Sequence, residues 1–203
     1  MGVFTPRYTS PAGLYLPYYM KTGTYTGALN DAILGNGAIT GANVLNNCVG
    51  YSVGRCAEVY NILNDTTANP TNPFNIFATH NAEEWYSIAQ ANNIPTGLTP
   101  QIGAVGVYYA SQQDVGHVCN IEAIVNGVWE ISESHYHYDG NQNINGSWDY
   151  SYLQANLIPA FIGADPDWQL LGFIYPYTIF RPVSNISSHM RSKKKERYRI
   201  YLW

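Results

Sequence analysis

Charged side chains are scarce in this chain. They make up 12% of its 203 residues, and six of the ten Lys and Arg fall after Met190. Up to Met190 there are four basic and thirteen acidic residues, so the body is acidic and the tail basic. An acidic body lacks the cationic surface that phosphates require, which argues against nucleic acid as a partner. No apolar run approaches the roughly 20 residues of a membrane span, so membrane insertion is not expected. The opening residues lack signal-peptide architecture, so export through a leader is not expected. Cysteine is also sparse. Cys48, Cys56 and Cys119 are odd in number and scattered in spacing. They form neither a disulfide framework nor a zinc motif, and no metal or cofactor is expected.

What the chain does have is tyrosine, asparagine and glycine, and one informative junction. A polar, glycine-rich stretch ends at Asn47, and an amphipathic run begins at Cys48. Val49, Val53, Cys56, Tyr60 and Leu63 recur at helical spacing. Gly50, Gly54 and Ala57 form a small-residue face expected to lie close to a sheet. Cys48 then stands at the first turn of a helix, where free N–H groups and the helix dipole favour a thiolate. A lone cysteine is more often core packing than a nucleophile. The assignment therefore needs a base.

The rest of the chain supplies one. Residues 1–47 read as a loop-rich arm, with residues 15–19 extended. The Cys48 helix is expected to end near Asn64 and Asp65. A second helix starts at Asn81, with Glu83 and Glu84 in its first turn. Residues 103–109 read as a buried strand, followed by a polar turn over 111–114. Two alternating runs, 115–124 and 128–135, flank Asn126-Gly127 and predict a hairpin. A two-residue loop separates Trp129 and Ile131 from the face of Cys119 and Ile121. A three-residue loop with Gly127 left-handed unites them, and the apolar pattern favours it. His117, Cys119, Ile121, Ala123, Trp129, Ile131, Glu133 and His135 then share a face predicted to pack on the helix. Cys48 would meet His117, with Glu133 behind the imidazole: a nucleophile, a base and an orienting carboxylate. Asn47 is a further candidate for oxyanion or substrate contact. Cys56 and Cys119 read as core, and Asp165 and Asp167 as a solvated turn. Residues 170–175 read as a closing strand.

Asn47-Cys48-Val49-Gly50-Tyr51, Gly103-Ala104-Val105-Gly106-Val107, Gly116-His117-Val118, Ile131-Ser132-Glu133 and Gly172-Phe173-Ile174-Tyr175 occur in the order found in CHAP domains. These are the cysteine- and histidine-dependent amidohydrolases/peptidases. Residues 81–86 also resemble the helix start of the version in phage lysins and tail proteins. The resemblance covers roughly residues 15–176. It implies an α+β, papain-like (NlpC/P60-type) fold with N-terminal helices on an antiparallel sheet. It implies cleavage of bacterial peptidoglycan, either at the muramoyl–alanine amide or within the peptides. By position it makes Cys48 the nucleophile, His117 the base and Glu133 its orienting partner. Many members carry asparagine where this chain has His135, which leaves a possible fourth role there. Residues 35–47 contain no carboxylate, so the calcium loop of some members is not implied. One catalytic domain over 1–183 is expected, either as a phage endolysin or as a tail-associated lysin beside other tail proteins. A structural tail protein that has kept the fold without the activity is the alternative. The basic tail, 184–203, is assigned no catalytic role, and residues 188–192 resemble a cloning junction.

Overall fold

The computed structural model describes residues 2–9, 11–32, 47–134 and 167–177. The sequence pattern at Cys48 becomes the longest helix among the described residues, α1 (Cys48–Asn64). The Asn47 side-chain oxygen starts it, accepting from Val49 N (2.8 Å) and Gly50 N (3.2 Å). Asp65 ends it in the left-handed conformation (φ 58°). Two shorter helices follow, α2 (Asn75–Ala78) and α3 (Trp85–Ala91). A 3-10 turn over Ala82–Glu84 leads into α3. Its entry is fixed by the Glu84 carboxylate, which accepts from Asn81 N at 2.8 Å.

The strands are β1 (Thr96–Gly97), β2 (Val105–Ala110), β3 (Val115–Val125), β4 (Val128–Ser132) and β5 (Trp168–Ile174). They form one antiparallel sheet in the order β1-β5-β2-β3-β4. The described fold is thus α+β, helices with an antiparallel sheet. One apolar cluster joins α1, α2 and α3 to Val105, Val107, Val118 and Ile174. A second, on the opposite face, gathers Tyr108, Cys119, Ile121, Trp129, Ile131 and Phe173. Both faces are therefore buried. Among the described residues no helix is long and apolar enough to cross a membrane.

Three expectations about packing are corrected. Residues 15–19 are not extended; Gly13–Tyr19 forms a 3-10 helix that contains Pro17. The small face of α1 does not meet the sheet. A Cβ on Gly54 would lie 2.5 Å from the Tyr19 ring and 2.7 Å from the Tyr18 carbonyl, so this face is taken by the N-terminal segment. Beside its apolar contacts, α1 presents polar side chains to β3. Ser52 Oγ accepts from Asn120 Nδ2 at 3.0 Å, and Arg55 is paired with Glu122. Asp167 is not a solvated turn residue. It is buried and accepts from Ser111 Oγ (3.1 Å) and Gln112 N (2.9 Å), which ties β5 to the β2–β3 turn.

The hairpin departs from expectation in an instructive way. Its loop has two residues, not three: Val125 pairs with Val128, and Asn126 and Gly127 both have positive φ (52° and 79°). Asn-Gly is the preferred pair for that turn. A β-bulge then leaves Glu122 without a partner opposite it, and beyond it Ile121 pairs with Ile131 and Asn120 with Ser132. The three-residue register is thus restored from Ile121 back toward His117. Near the turn the faces exchange, and Ile124 rather than Ala123 packs with Trp129.

Candidate active site

α1 runs alongside β3 in the same direction, with Ser52 beside Asn120 and Arg55 beside Glu122. This brings the first residue of α1 to the start of β3. There the Cys48 side chain hydrogen-bonds the His117 ring. By strand alternation His117 belongs with Cys119 and Ile121, not on the face covered by α1. The helix–ring contact is made where both elements begin, which differs from the face-to-face contact expected from the pattern.

Glu133 follows the last residue of β4. Its Oε2 lies 2.6 Å from His117 Nε2. His117 and Glu133 are both buried, whereas Cys48 is half-buried. Trp168 from β5 meets the imidazole edge-on, with centroids 6.5 Å apart. Burial acts to lower the His117 pKa. The hydrogen bonds and charges of Cys48 and Glu133 outweigh it, and the pKa is pushed up to about 9. The imidazole is thereby favoured in its charged form.

The three expected residues Cys48, His117 and Glu133 are brought together. Asn47 is beside them, but its oxygen is spent on capping α1. Asn47 and the Val49 and Gly50 amides are thereby committed to each other, and Tyr51 N bonds the Asn47 carbonyl (2.8 Å). This leaves the Cys48 N–H as the first-turn donor not used by the cap. His135 and the basic tail lie outside the described residues. Cys56 and Cys119 are buried core residues, as expected.

A cleft of about 210 Å³ opens at Cys48. Its walls include Asn47, His80, Glu83, Asp114 and Gly116. Glu83 sits on the 3-10 turn that abuts β3. A Cβ at Gly116 would fall 2.2 Å from Glu83 Oε2 and 2.3 Å from Glu83 N, so the close approach requires glycine. Sequence reasoning assigned Glu83 only to a helix start. Its place one residue from His117 in space had no local signal.

A second feature missed by pattern reading is a buried charge cluster. Arg55 Nε and Nη2 donate to Glu122 (2.9 and 2.6 Å), and Arg55 Nη1 donates to Glu58 (3.0 Å). Arg7 adds a second guanidinium on Glu58, and Tyr19 donates to the same carboxylate at 2.6 Å. Two cations thus balance two carboxylates, as burial demands. The i,i+3 pair Arg55/Glu58 was the one visible clue.

No family model matches this chain, and neither a curated protein nor a solved structure was found to match it.

Proposed function

We propose that this chain is a cysteine-dependent peptidoglycan hydrolase of papain-like fold, an amidase or endopeptidase of the phage lysin kind. The observation that carries the reading is the buried His117–Glu133 pair (2.6 Å) with Cys48, at a helix N-terminus, hydrogen-bonded to the same ring. In this reading the Cys48 thiolate attacks a scissile amide carbonyl and forms a C–S bond. The Cys48 N–H is placed to donate to the oxyanion. The His117 imidazolium gives its proton to the leaving amine as the C–N bond breaks. Water, deprotonated by His117, then cleaves the thioester, and the Cys48 thiolate is expelled beside the re-formed imidazolium. Glu133 fixes the ring and supports its charged form.

The cleft lining favours one class of substrate. Among the described residues that line it, Glu83 and Asp114 are the carboxylates and none is Lys or Arg. A wall peptide presenting an ammonium group near the scissile amide, such as a diamino-acid side chain, fits that field. The test is incubation of the purified protein with purified cell walls, followed by mass spectrometry of the fragments. Release of new carboxyl and amine ends at one amide supports the reading and identifies the bond. Intact walls after exposure to the reduced protein count against it and favour an inactive structural role.

A further inference from the structure

Two local preferences conflict in the β3–β4 hairpin. The two-residue turn at Asn126-Gly127 would, carried through, pair Cys119 with Ser134 and direct Glu133 to the other face. The bulge at Glu122 shifts the ladder by one, and Glu133 arrives on the face of His117. The bulge is not held by its own backbone alone. The Glu122 carboxylate is buried and accepts from four donors. Its Oε1 takes Arg55 Nε (2.9 Å) and Ser132 Oγ (2.5 Å). Its Oε2 takes Arg55 Nη2 (2.6 Å) and Arg7 N (2.9 Å). These donors come from α1, from the end of β4 and from the N-terminal arm. Ser132 is the last paired residue of β4 and immediately precedes Glu133.

We propose that Glu122 is a positioning residue for the candidate catalytic pair. Its clamp on Arg55 and Ser132 fixes the bulge, and with it the register that sets Glu133 against His117. Glu122 touches neither the thiol nor the ring, so its effect passes through Ser132 and the strand end. The inference rests on the Cys48–His117–Glu133 reading. It makes the hairpin's irregularity part of the site, since a regular ladder from the same turn would separate His117 from its carboxylate.

The experiment compares Glu122→Gln and Ser132→Ala with Glu130→Gln in the full chain. Glu130 carries a buried carboxylate on the turn side of the bulge, bonded by Tyr8 rather than by Arg55 or Ser132. Three quantities are read: His117 titration by NMR, the rate of Cys48 alkylation, and kcat and KM on wall fragments. Glu122→Gln and Ser132→Ala are expected to move the His117 pKa from about 9 toward 6.5. Alkylation near pH 7 and kcat should each fall about ten-fold, with KM little changed. Glu130→Gln should leave all three at the wild-type values. A folded Glu122→Gln with wild-type titration and alkylation overturns the proposal, as does an equal effect from Glu130→Gln. If Glu122→Gln does not fold, Ser132→Ala decides by the same criteria. Absence of wall turnover in the wild type would count against the hydrolase reading alone, because titration and alkylation need no substrate.

Discussion

Glu133 Oε2 and His117 Nε2 lie 2.6 Å apart inside the protein, both almost wholly removed from solvent. A buried carboxylate costs several kcal/mol unless it is paired, and here the pair is the imidazolium itself. Replacing Glu133 by Gln keeps the shape and removes the charge. Turnover is expected to fall on the order of 10²-fold. The His117 pKa should drop toward its ordinary value. Full activity in a folded Glu133→Gln variant would remove Glu133 from the mechanism.

The same pair makes stability depend on pH. The folded-state pKa of His117 is raised to about 9 from an ordinary 6.5. Its contribution is therefore complete below about pH 6.5 and is lost as pH rises through 9. The loss amounts to on the order of 3 kcal/mol. Denaturant midpoints taken between pH 6 and pH 9.5 should fall in wild type and fall much less in Glu133→Gln. Parallel pH profiles for the two proteins would refute this.

Alkylation should discriminate among the three cysteines. Burial pushes the Cys56 thiol up to about 12, and burial first, with the Glu133 charge, raises Cys119 well above its ordinary range. Cys48 is half-buried at the mouth of the cleft. Iodoacetamide on the native protein is expected to label Cys48 and to abolish turnover in step with labelling. Cys48→Ser should be inactive yet folded. Inactivation that tracks label on Cys119 in peptide maps would relocate the nucleophile.

Gly116 is predicted to tolerate no side chain. A Cβ there meets Glu83 backbone N at 2.3 Å, so the 3-10 turn must move away from β3. Gly116→Ala should cost about 1–3 kcal/mol. It should also raise KM, because Glu83 lines the cleft. Calorimetry and steady-state kinetics check the two effects separately; an unchanged melting temperature contradicts the close approach.

The charge of the cleft predicts a substrate preference. Acetylating the free amines of wall peptides should lower kcat/KM in wild type by about ten-fold. Glu83→Gln should narrow the gap between free and acetylated peptides. An equal rate on both peptides with wild-type protein would dismiss the electrostatic account.

Much of the site was legible because its parts obey local rules. A polar, glycine-rich stretch that gives way to an amphipathic run announces a helix start, and that alone puts Cys48 at an N-terminus. Alternation located β3 and β4, and with them His117 and Glu133. The hairpin was harder because two rules pulled apart. Asn126-Gly127 demands a two-residue turn, while Cys119, Ile121, Trp129 and Ile131 demand the other register. The chain satisfies both by a bulge at Glu122, a residue type that signals no bulge. The packing of α1 was misjudged for a related reason. Its small residues looked made for a sheet, but glycine says only that something comes close, and what comes close to Gly54 is Tyr19. Arg55 and Glu122 are 67 positions apart, and no periodicity reports such a pairing.

Arg7 reaches Glu122 across 115 positions of chain. During synthesis the arm therefore emerges long before the carboxylate it will bind. Until β3 exists, Glu58 on α1 and Arg7 can find each other, but the second anchor is missing. A segment made 115 positions ahead of its anchor is thus among the last to be locked, a long-range closure of the kind that slows folding. A ribosome-tethered chain stopped short of Glu122 should leave residues 2–9 open to protease, and release past the hairpin should close them.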